Sequence, residues 1–370
     1  MTASPSGRFH FRAGGAQTEV VVGDGAFRVL GRRLSGIAPG RWFVVSSRPV
    51  FRRHGASLLA GTRGADLDPR PLLVPDGEAA KNWAVLGRLL SELSERGLRR
   101  DGGLVALGGG TVGDVAGLAA ALALRGVPVV QAPTTLLAAA DSALGGKTAV
   151  DLPAGKNLAG AFHMPRLVAV DPTVLATLPA RAFRSGLAEV VKSALLSRAF
   201  YRAMPRLVPG LARRDPAAVG EAVRRSLAMK ASVVAADPFE RRGRRFALNL
   251  GHTVGHALEA ASGYRLTHGE AVAWGLLAAL RLSESRAGLA PRVAGAARAW
   301  IVGLVRPPLP PPPAREGWTT RLGADKKADR GGLVAVLLAE PGRVVLRRVT
   351  PRDLAEAFSA NLPSYNRFEG

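Results

Sequence analysis

Short apolar runs and helical stretches alternate along the first half of the chain. Buried strands are predicted at Trp42–Ser46, Gly103–Leu107 and Pro128–Ala132, because each is a short run dominated by apolar residues. Segments with helical character separate them, at Asn82–Arg96 and Asp114–Leu124. Strand, glycine-rich turn, helix and strand in this order predict a nucleotide-binding, Rossmann-like α/β domain.

The pattern changes after about Thr177. Long segments rich in Ala, Leu, Val and Arg then follow with helical period, at Ala182–Arg198, Ala217–Ala235, Phe246–Ser262 and Gly269–Ala287. Further along, a small strand pair is predicted at Leu333–Leu338 and Arg343–Val349. We therefore predict an α/β domain over 1–178 and a mainly α-helical domain over 179–370.

Composition narrows the kinds of site and partner. None of the 370 residues is a cysteine, so disulfides and thiolate ligands are excluded and any metal must be held by His, Asp or Glu. The formal net charge of +23 invites a nucleic-acid partner, but the arginines are scattered and aromatic residues make up only 5%. We expect no nucleic-acid binding; such a charge would instead attract small anionic substrates.

Two further segments bear on location and partners. Residues 1–20 hold no apolar run of signal-peptide type, and Val115–Leu124 is shorter than the roughly 20 apolar residues that span a bilayer. We expect a soluble, cytoplasmic protein without membrane association. Pro307–Pro313 is rich in proline, and Pro310, Pro313 and Arg315 make a Pro-x-x-Pro-x-Arg pattern of the kind that partner domains bind. A stiff loop between helices is the preferred interpretation.

The glycine-rich segment Gly108–Asp114 follows an apolar strand and opens a helix with Gly-x-Gly-x-x-Gly spacing. Such glycines let the backbone approach a pyrophosphate, whose charge the helix N-terminus stabilises. An ordinary dehydrogenase needs an acidic residue about 20 positions further on, where this chain has Pro133–Thr135. Gly145–Thr148 resembles the end of a P-loop, but Asp141 occupies the position of the first required glycine.

A second candidate site is a row of polar residues in an apolar segment. The row has steps of four, three, four and three, and consists of Arg245, Asn249, His252, His256 and Glu259. On one continuous helix these residues share a face, and a helix that is apolar on most sides is buried. Burying such a row is costly unless its members are partnered, which favours a functional site over a structural network.

Two other segments carry matching chemistry. Glu189 and Lys192 stand three apart on an apolar helix, and His268 begins another. Glu189 with His252 and His268 gives three N/O ligands from three segments, which leaves coordination positions open for substrate or water. One alternative is that Glu189 and Lys192 form only a surface ion pair. A separate alternative is that His252 and His256 both bind metal as in zinc proteases, although the His-Glu-x-x-His motif is absent.

An ordered series of motifs runs from about Pro75 to Val349. It comprises Gly108–Asp114, Leu124–Gly126, Pro133–Leu137, Asp141, Gly145–Thr148, Gly155–Asn157, Gly186–Glu189 with Lys192, Asn249–Glu259, His268–Glu270 and Asp325–Lys327. The series resembles the 3-dehydroquinate synthase family of sugar phosphate cyclases. The resemblance implies an NAD-binding α/β domain, a helical metal- and substrate-binding domain, and a homodimer. It also implies conversion of 3-deoxy-D-arabino-heptulosonate 7-phosphate to 3-dehydroquinate and phosphate.

The same resemblance implies residue roles. The metal, zinc or cobalt, would be held by Glu189, His252 and His268. NAD would be contacted by Glu78, Lys81, Gly109, Gly110, Gly113, Asp114, Thr134, Thr135, Asp141, Lys147 and Lys156. The substrate and its chemistry would be served by Arg125, Asp141, Lys147, Asn157, Lys192, Lys230, Arg245, Asn249, His256 and Lys326. Phosphate and carboxylate would be bound by Arg125, Lys147, Asn157 and Lys326. The pocket would be completed by Lys192, Lys230, Arg245 and Asn249, and His256 would relay a proton or donate a hydrogen bond.

The chain departs from the family pattern at three places, and three other functions compete. One departure is Pro307–Pro313, which is richer in proline than the family pattern leads us to expect. The strand after Trp42 ends in Ser46–Arg48, where the family commonly has an Asp or Asn at the adenosine ribose. Pro238–Arg244 is one residue longer than usual, which affects the register of Lys230. The competing functions are a sister cyclase for another sugar phosphate, a metal-dependent NAD alcohol dehydrogenase, and a non-catalytic binding protein.

Overall fold

The structure, a computed structural model, describes residues 7–311, 317–319, 322 and 333–362. The chain forms two compact units, Met1–Leu178 with Val219–Arg241, and Pro179–Ala218 with Arg242–Gly370. Val219–Arg241 thus belongs to the first unit although it follows residue 178. A helical apolar pattern does not reveal which core will cover it, so the division into domains 1–178 and 179–370 stays a prediction.

The first unit is built on a seven-stranded sheet and a separate two-stranded hairpin. The strands are β1 (Arg8–Ala13), β2 (Ala16–Val22), β3 (Trp42–Ser47), β4 (Leu67–Val74), β5 (Gly103–Gly108), β6 (Val129–Pro133), β7 (Lys147–Leu152), β8 (Gly155–Phe162) and β9 (Leu167–Val170). The sheet has the order β1-β2-β9-β6-β5-β3-β4; its strands are parallel from β2 to β4, β1 pairs with β2 in antiparallel fashion, and β7 and β8 form the hairpin. The helices are α1 (Leu30–Ile37), α2 (Arg48–Gly61), α3 (Trp83–Glu95), α4 (Gly110–Leu122), α5 (Pro172–Leu175) and α8 (Pro216–Ala236), whose first three residues belong to the second unit.

Burial on both faces explains why the sheet strands read as continuous apolar runs. Every residue of β3, β5 and β6 is buried, because one hydrophobic cluster contains side chains of α3 and α4 and another contains side chains of α1 and α2. The three strands predicted from the sequence are confirmed to within one residue at each end. The helix predicted at Asp114–Leu124 begins earlier, at Gly110, directly after the glycine turn.

The second unit is mainly helical, as predicted. It contains α6 (Ala180–Leu195), α7 (Arg198–Ala212), α9 (His252–Ala261), α10 (His268–Arg286), α11 (Pro291–Trp300) and α12 (Pro351–Ser359), with the antiparallel pair β10 (Leu333–Glu340) and β11 (Arg343–Val349). Helix α10 is central and buried on nearly every side, since α6, α9, α11, α12 and β10 all pack against it. Thr267 and Glu270 begin α10 with a capping box.

The continuous helix predicted over Phe246–Ser262 is wrong. A 3-10 turn occupies Arg244–Asn249, the backbone then leaves the helical conformation, and α9 begins at His252. Gly251 between them has a left-handed φ of 79°, which strongly favours glycine. The reason for the break is close packing on α10, because a Cβ at Gly275 would lie 1.8 Å from the Gly251 carbonyl oxygen.

Two remaining sequence expectations concern membranes and the proline-rich segment. Within the part of the chain that the structure describes, no helix combines the length and apolar character that crossing a bilayer requires. The Trp274 indole Nε1 donates a hydrogen bond to the Pro308 carbonyl at 2.9 Å, which ties the start of the proline-rich segment to α10. The Pro313 and Arg315 positions of the possible partner motif lie outside the described residues.

Candidate metal centre and cofactor-binding residues

Three potential metal ligands converge in the second unit. Glu189 lies on α6, while His252 and His268 are the first residues of α9 and α10. One ligand atom from each residue lies within 4.8 Å of the other two. The Nε2 atoms of His268 and His252 are 3.4 Å and 3.6 Å from Oε1 of Glu189. The group therefore brings one carboxylate and two imidazoles together from three separate helices.

The environment of Glu189 fits a divalent cation. The side chain is fully buried, and neither carboxylate oxygen has a hydrogen bond of regular geometry. The Lys192 Nζ contacts Oε2, and Lys192 is itself buried, which excludes the surface ion pair that the sequence left open. A buried carboxylate is costly without compensation, and one carboxylate with two imidazoles is a donor set typical of catalytic Zn²⁺ or Co²⁺ sites.

The protonation states agree with this interpretation. Burial alone would raise the pKa of Glu189, but Lys192 and the two histidines lower that pKa well below its usual value. Burial and the nearby Lys192 lower the pKa of His252, so its imidazole is neutral as a metal ligand must be. Burial opposes protonation of His268, but the carboxylates of Glu189 and Glu259 raise its pKa to about 10.

Metal binding is therefore expected to release about one proton per chain at about pH 6. The His268 pKa of about 10 keeps this residue protonated in the metal-free protein, and a metal can bind Nε2 only after that proton leaves. Metal-bound water ionises nearer pH 7 and so contributes little at about pH 6. Calorimetric Zn²⁺ titrations in buffers of different ionisation enthalpy would measure the proton count. A count near zero would contradict the assigned state of His268.

The other members of the predicted polar row are placed differently. Arg245 is buried and Asn249 half-buried, but both lie on the 3-10 turn and not on the helix that carries His252. His256 does lie on α9, yet it is exposed, so the prediction of a wholly buried row is wrong at this residue. Its ring centroid is 5.2 Å from that of His252 and 5.9 Å from that of His268. His256 therefore borders the Glu189 group without belonging to it.

The last residue of the row has a partner that the sequence did not reveal. Glu259 lies in the last turn of α9, and its Oε2 lies 3.2 Å from the Nδ1 atom of His268. The sequence placed Glu259 in the polar row by its spacing but gave it no role. The helical spacing therefore selected Glu259 as a candidate residue. Only the position of α10 in the structure shows which group its carboxylate contacts.

In the first unit, the glycine turn forms a cradle that side chains would fill. A Cβ added at Gly109 would lie 3.0 Å from Cγ2 of Thr135, and one at Gly110 would lie 2.9 Å from Oγ of Ser142. The Thr134 N–H donates to the Gly108 carbonyl at 2.9 Å, which fixes the end of β6 against this turn. The N-terminal N–H groups of the 13-residue helix α4 begin here, so the turn fits a pyrophosphate.

Several residues predicted to surround NAD or substrate form a charged cluster in the same unit. The buried Lys81 Nζ donates to Oδ2 of Asp114 at 2.6 Å and contacts the side-chain oxygen of Asn157. Burial raises the pKa of Asp114, although Lys81 opposes this effect. The Lys156 Nζ lies 3.5 Å from Oε1 of Glu78. The structure thus brings five of the predicted residues together.

The remaining predicted cations of the first unit have separate surroundings. The Lys230 Nζ lies 3.0 Å from Oδ1 of Asp141 and donates to the Asp141 carbonyl at 2.8 Å, so two predicted residues are paired. The Lys147 Nζ lies 2.5 Å from Oε2 of Glu240. Arg125 is exposed on the turn after α4, with a left-handed φ of 66°. Lys326 lies outside the described residues.

The end of β3 explains how the chain departs from the family pattern. Ser46 is fully buried, and its hydroxyl donates to the Leu107 carbonyl at 2.7 Å. This hydrogen bond ties β3 to the neighbouring strand β5. The Ser46 hydroxyl therefore helps to hold these two strands together.

Comparison with solved structures shows the fold and the cofactors of similar proteins. A 2-deoxy-scyllo-inosose synthase complexed with carbaglucose-6-phosphate, NAD⁺ and Co²⁺ is 25% identical, with a TM-score of 0.83 over 95% of this chain and 99% of that one. A 2-epi-5-epi-valiolone synthase from Streptomyces hygroscopicus with NAD⁺ and Zn²⁺ bound is 28% identical, with a TM-score of 0.82 over 94% and 97%. A glycerol dehydrogenase from Schizosaccharomyces pombe, 17% identical with a TM-score of 0.64 over 95% of this chain and 90% of that one, shares the fold alone.

Sequence comparison is more specific. The 3-dehydroquinate synthase N-terminal family matches residues 71–185, and the 3-dehydroquinate synthase C-terminal family matches residues 186–328. The 3-dehydroquinate synthase of Caulobacter vibrioides is 43% identical over 351 residues, 92% of this chain and 94% of that protein. The corresponding protein of Salinibacter ruber is 41% identical over 87% of this chain and 89% of its own length. The chain therefore belongs to the 3-dehydroquinate synthase family.

Proposed function

We propose that the protein catalyses the 3-dehydroquinate synthase reaction of the shikimate pathway, which leads to chorismate and the aromatic amino acids. It converts 3-deoxy-D-arabino-heptulosonate 7-phosphate to 3-dehydroquinate and phosphate by transient oxidation, β-elimination, re-reduction and intramolecular aldol closure. The observation that carries the proposal is the convergence of the buried Glu189 and His252 with the half-buried His268 on one position. The relatives that are 41–46% identical over most of the chain all bear this name.

The second unit supplies the proposed metal ligands and the groups beside them. When bound, Zn²⁺ or Co²⁺ polarises a substrate hydroxyl, and NAD accepts and later returns the hydrogen of that carbon. Glu189, His252 and His268 would hold the ion. Lys192 contacts Glu189 and would keep this carboxylate ionised and oriented. His256 is exposed beside both histidine rings, where it would donate a hydrogen bond or relay a proton to substrate.

The first unit supplies the proposed NAD-binding groups. The α4 N-terminus and the glycines before it would bind the pyrophosphate, because the first N–H groups of a helix have no partner within the helix and glycine adds no side chain of its own. The pair of Lys81 and Asp114 would fix the nearby ribose or nicotinamide by hydrogen bonds. The full proposed set is Glu78, Lys81, Gly109, Gly110, Gly113, Asp114, Thr134, Thr135, Asp141, Lys147 and Lys156.

Anion recognition separates this proposal from an alcohol dehydrogenase. A substrate with both a phosphate and a carboxylate requires several cations, and charge-assisted hydrogen bonds to such anions are strong. We assign this role to Arg125, Lys147 and Lys326 together with Asn157. The remaining proposed substrate contacts are Asp141, Lys192, Lys230, Arg245, Asn249 and His256. Lys230 is held by Asp141, which orients its ammonium group.

Assembly and location are also proposed from the family resemblance. We expect a homodimer in the cytoplasm that takes a small anionic sugar phosphate as substrate and has no nucleic-acid partner. The scattered distribution of its arginines supports the last expectation. Sedimentation of the purified protein would test the dimer directly.

Purified, metal-loaded protein with NAD and 3-deoxy-D-arabino-heptulosonate 7-phosphate is expected to release phosphate and form dehydroquinate in equal amounts. NADH should not accumulate, because NAD is regenerated in each turnover. His252→Ala and treatment with EDTA should each abolish turnover, because both remove the metal. Phosphate release and dehydroquinate would be measured in the same samples.

Two controls make the result specific. Re-addition of Zn²⁺ or Co²⁺ should restore the EDTA-treated protein but not the His252→Ala variant. Other sugar phosphates, tested in the same assay, should turn over far more slowly. Turnover of one of those substrates in preference to the heptulosonate would instead identify a sister cyclase, the class of the two solved structures that are 25% and 28% identical.

A further inference from the structure

The His268 ring lies between two carboxylates. Its Nε2 is 3.4 Å from Oε1 of Glu189, and its Nδ1 is 3.2 Å from Oε2 of Glu259. The Glu259 side chain is mostly buried, with 13% of its surface exposed, so little water competes for this contact. The contact at Nδ1 therefore restricts the orientation of the ring and turns Nε2 towards Glu189.

His252 is held in a similar way by a different kind of acceptor. Its Nδ1 lies 3.2 Å from the Leu250 carbonyl oxygen, and its Nε2 is directed towards Glu189. In both rings, therefore, Nε2 is directed at Glu189 while Nδ1 has its own outer acceptor. A neutral imidazole has one N–H and one lone pair, so donation from Nδ1 leaves the lone pair of Nε2 for a metal.

The two outer acceptors differ in charge, and the charge of the site explains why this difference matters. Lys192 contacts Glu189 and so withdraws electron density from the only carboxylate among the three ligands. The Leu250 carbonyl is neutral and adds no negative charge beside the ligands. Glu259 is the charged outer acceptor of the group, and a carboxylate behind an imidazole makes Nε2 a stronger donor.

We propose that Glu259 is a positioning residue, which fixes the tautomer and orientation of His268 and thereby sets the affinity of the site for its divalent metal. The inference rests on the proposed metal site but not on the identity of the substrate. It assigns a function to the last member of the polar row, the one for which the sequence gave no role. Glu259 acts through His268 and touches neither substrate nor ion.

Two variants separate orientation from charge. Glu259→Gln keeps an amide oxygen that can accept from Nδ1 but removes the negative charge, whereas Glu259→Ala removes both. We expect Zn²⁺ and Co²⁺ to bind about 10- to 100-fold more weakly to Glu259→Ala, with a smaller loss in Glu259→Gln. Competition against a chromophoric chelator would give the dissociation constants without any turnover measurement. Glu356→Gln is the matched control, because it removes one carboxylate of an exposed pair on α12 in the same unit.

A second measurement distinguishes positioning from general damage to the fold. The metal-free variants lose the contact of Glu259 with protonated His268, so their unfolding midpoint should fall, but they should still unfold in one cooperative transition. The further stabilisation on adding Zn²⁺, measured for each variant against its own metal-free form, should shrink. The absorption spectrum of bound Co²⁺ should change in Glu259→Ala, because His268 is no longer held.

Unaltered metal affinity in both Glu259 variants would overturn the inference while leaving the proposed function intact. Absence of metal binding in the unaltered protein would overturn both. If Glu259→Ala does not fold, the Glu259→Gln variant decides the question.

Discussion

Replacing Glu189 by glutamine is expected to reduce the rate of dehydroquinate formation by about a thousandfold or more and to weaken metal binding strongly. Stabilisation of transition-state charge by a bound metal is worth several kcal/mol, and each 1.36 kcal/mol corresponds to about tenfold in rate. Glutamine has nearly the same shape, so the carboxylate charge is the main change. Turnover number and Zn²⁺ affinity would be measured on the same preparations.

The same substitution also tests the buried pair. Glu189→Gln removes the carboxylate that Lys192 contacts, and breaking a buried ion pair from one side destabilises a protein by about 3–5 kcal/mol. The double variant Glu189→Gln with Lys192→Met should recover much of this stability, because neither charge remains, yet it should recover neither metal binding nor turnover. Urea unfolding of the metal-free proteins would measure the first effect. Retention of metal affinity by Glu189→Gln would contradict the ligand assignment.

The α/β half of the fold was predictable because its signals are local. Strands β3 and β5 are covered on both faces, so each appears in the sequence as a short run with almost no polar position. The turn after β5 needs glycine because Thr135 and Ser142 approach its backbone closely, and glycine is visible in a sequence whatever its cause. Local sequence therefore predicted both the sheet core and the candidate pyrophosphate site.

The polar row shows where local reasoning fails. Helical spacing predicted that Arg245 and Asn249 share a helix face with His252. The helix is instead interrupted before His252, so Arg245 and Asn249 lie on a separate 3-10 turn. The interruption follows from the close packing of Gly251 against Gly275 of α10, a residue more than twenty positions further along the chain. Periodicity describes one segment at a time, so it could not predict a constraint imposed by another helix.

The tertiary arrangement also determines to which unit one helical segment belongs and which group one carboxylate contacts. Val219–Arg241 has the composition of the helical half, but it belongs to the first compact unit. Glu259 was selected by its spacing, yet its contact with His268 depends on how α10 packs against α9. The sequence could therefore name the chemistry of the metal group, while the outer contacts that orient its ligands required the fold.

Gly269→Ala is expected to destabilise the second unit by about 3 kcal/mol and to weaken metal binding at least about tenfold, because it separates the helices that carry two of the ligands. A Cβ at Gly269 would lie 1.8 Å from the Ser185 carbonyl oxygen, which is a backbone atom and cannot rotate away. The Gly269 N–H also donates to Oγ of Ser185 at 3.1 Å. Since Ser185 is one turn before Glu189 and Gly269 follows His268, any separation of α6 from α10 pulls carboxylate and imidazole apart.

Gly295→Ala provides the matched control for this prediction. Gly295 lies within α11 of the same unit, and an added Cβ there would meet nothing within 4 Å. Alanine is the better helix former, so this variant should be unchanged or more stable by about 0.5–1 kcal/mol. Urea unfolding of the metal-free proteins and Zn²⁺ titrations would be compared for both variants. If the two glycine variants behaved alike, the contact of Gly269 with Ser185 would not be what sets the distance between Glu189 and His268.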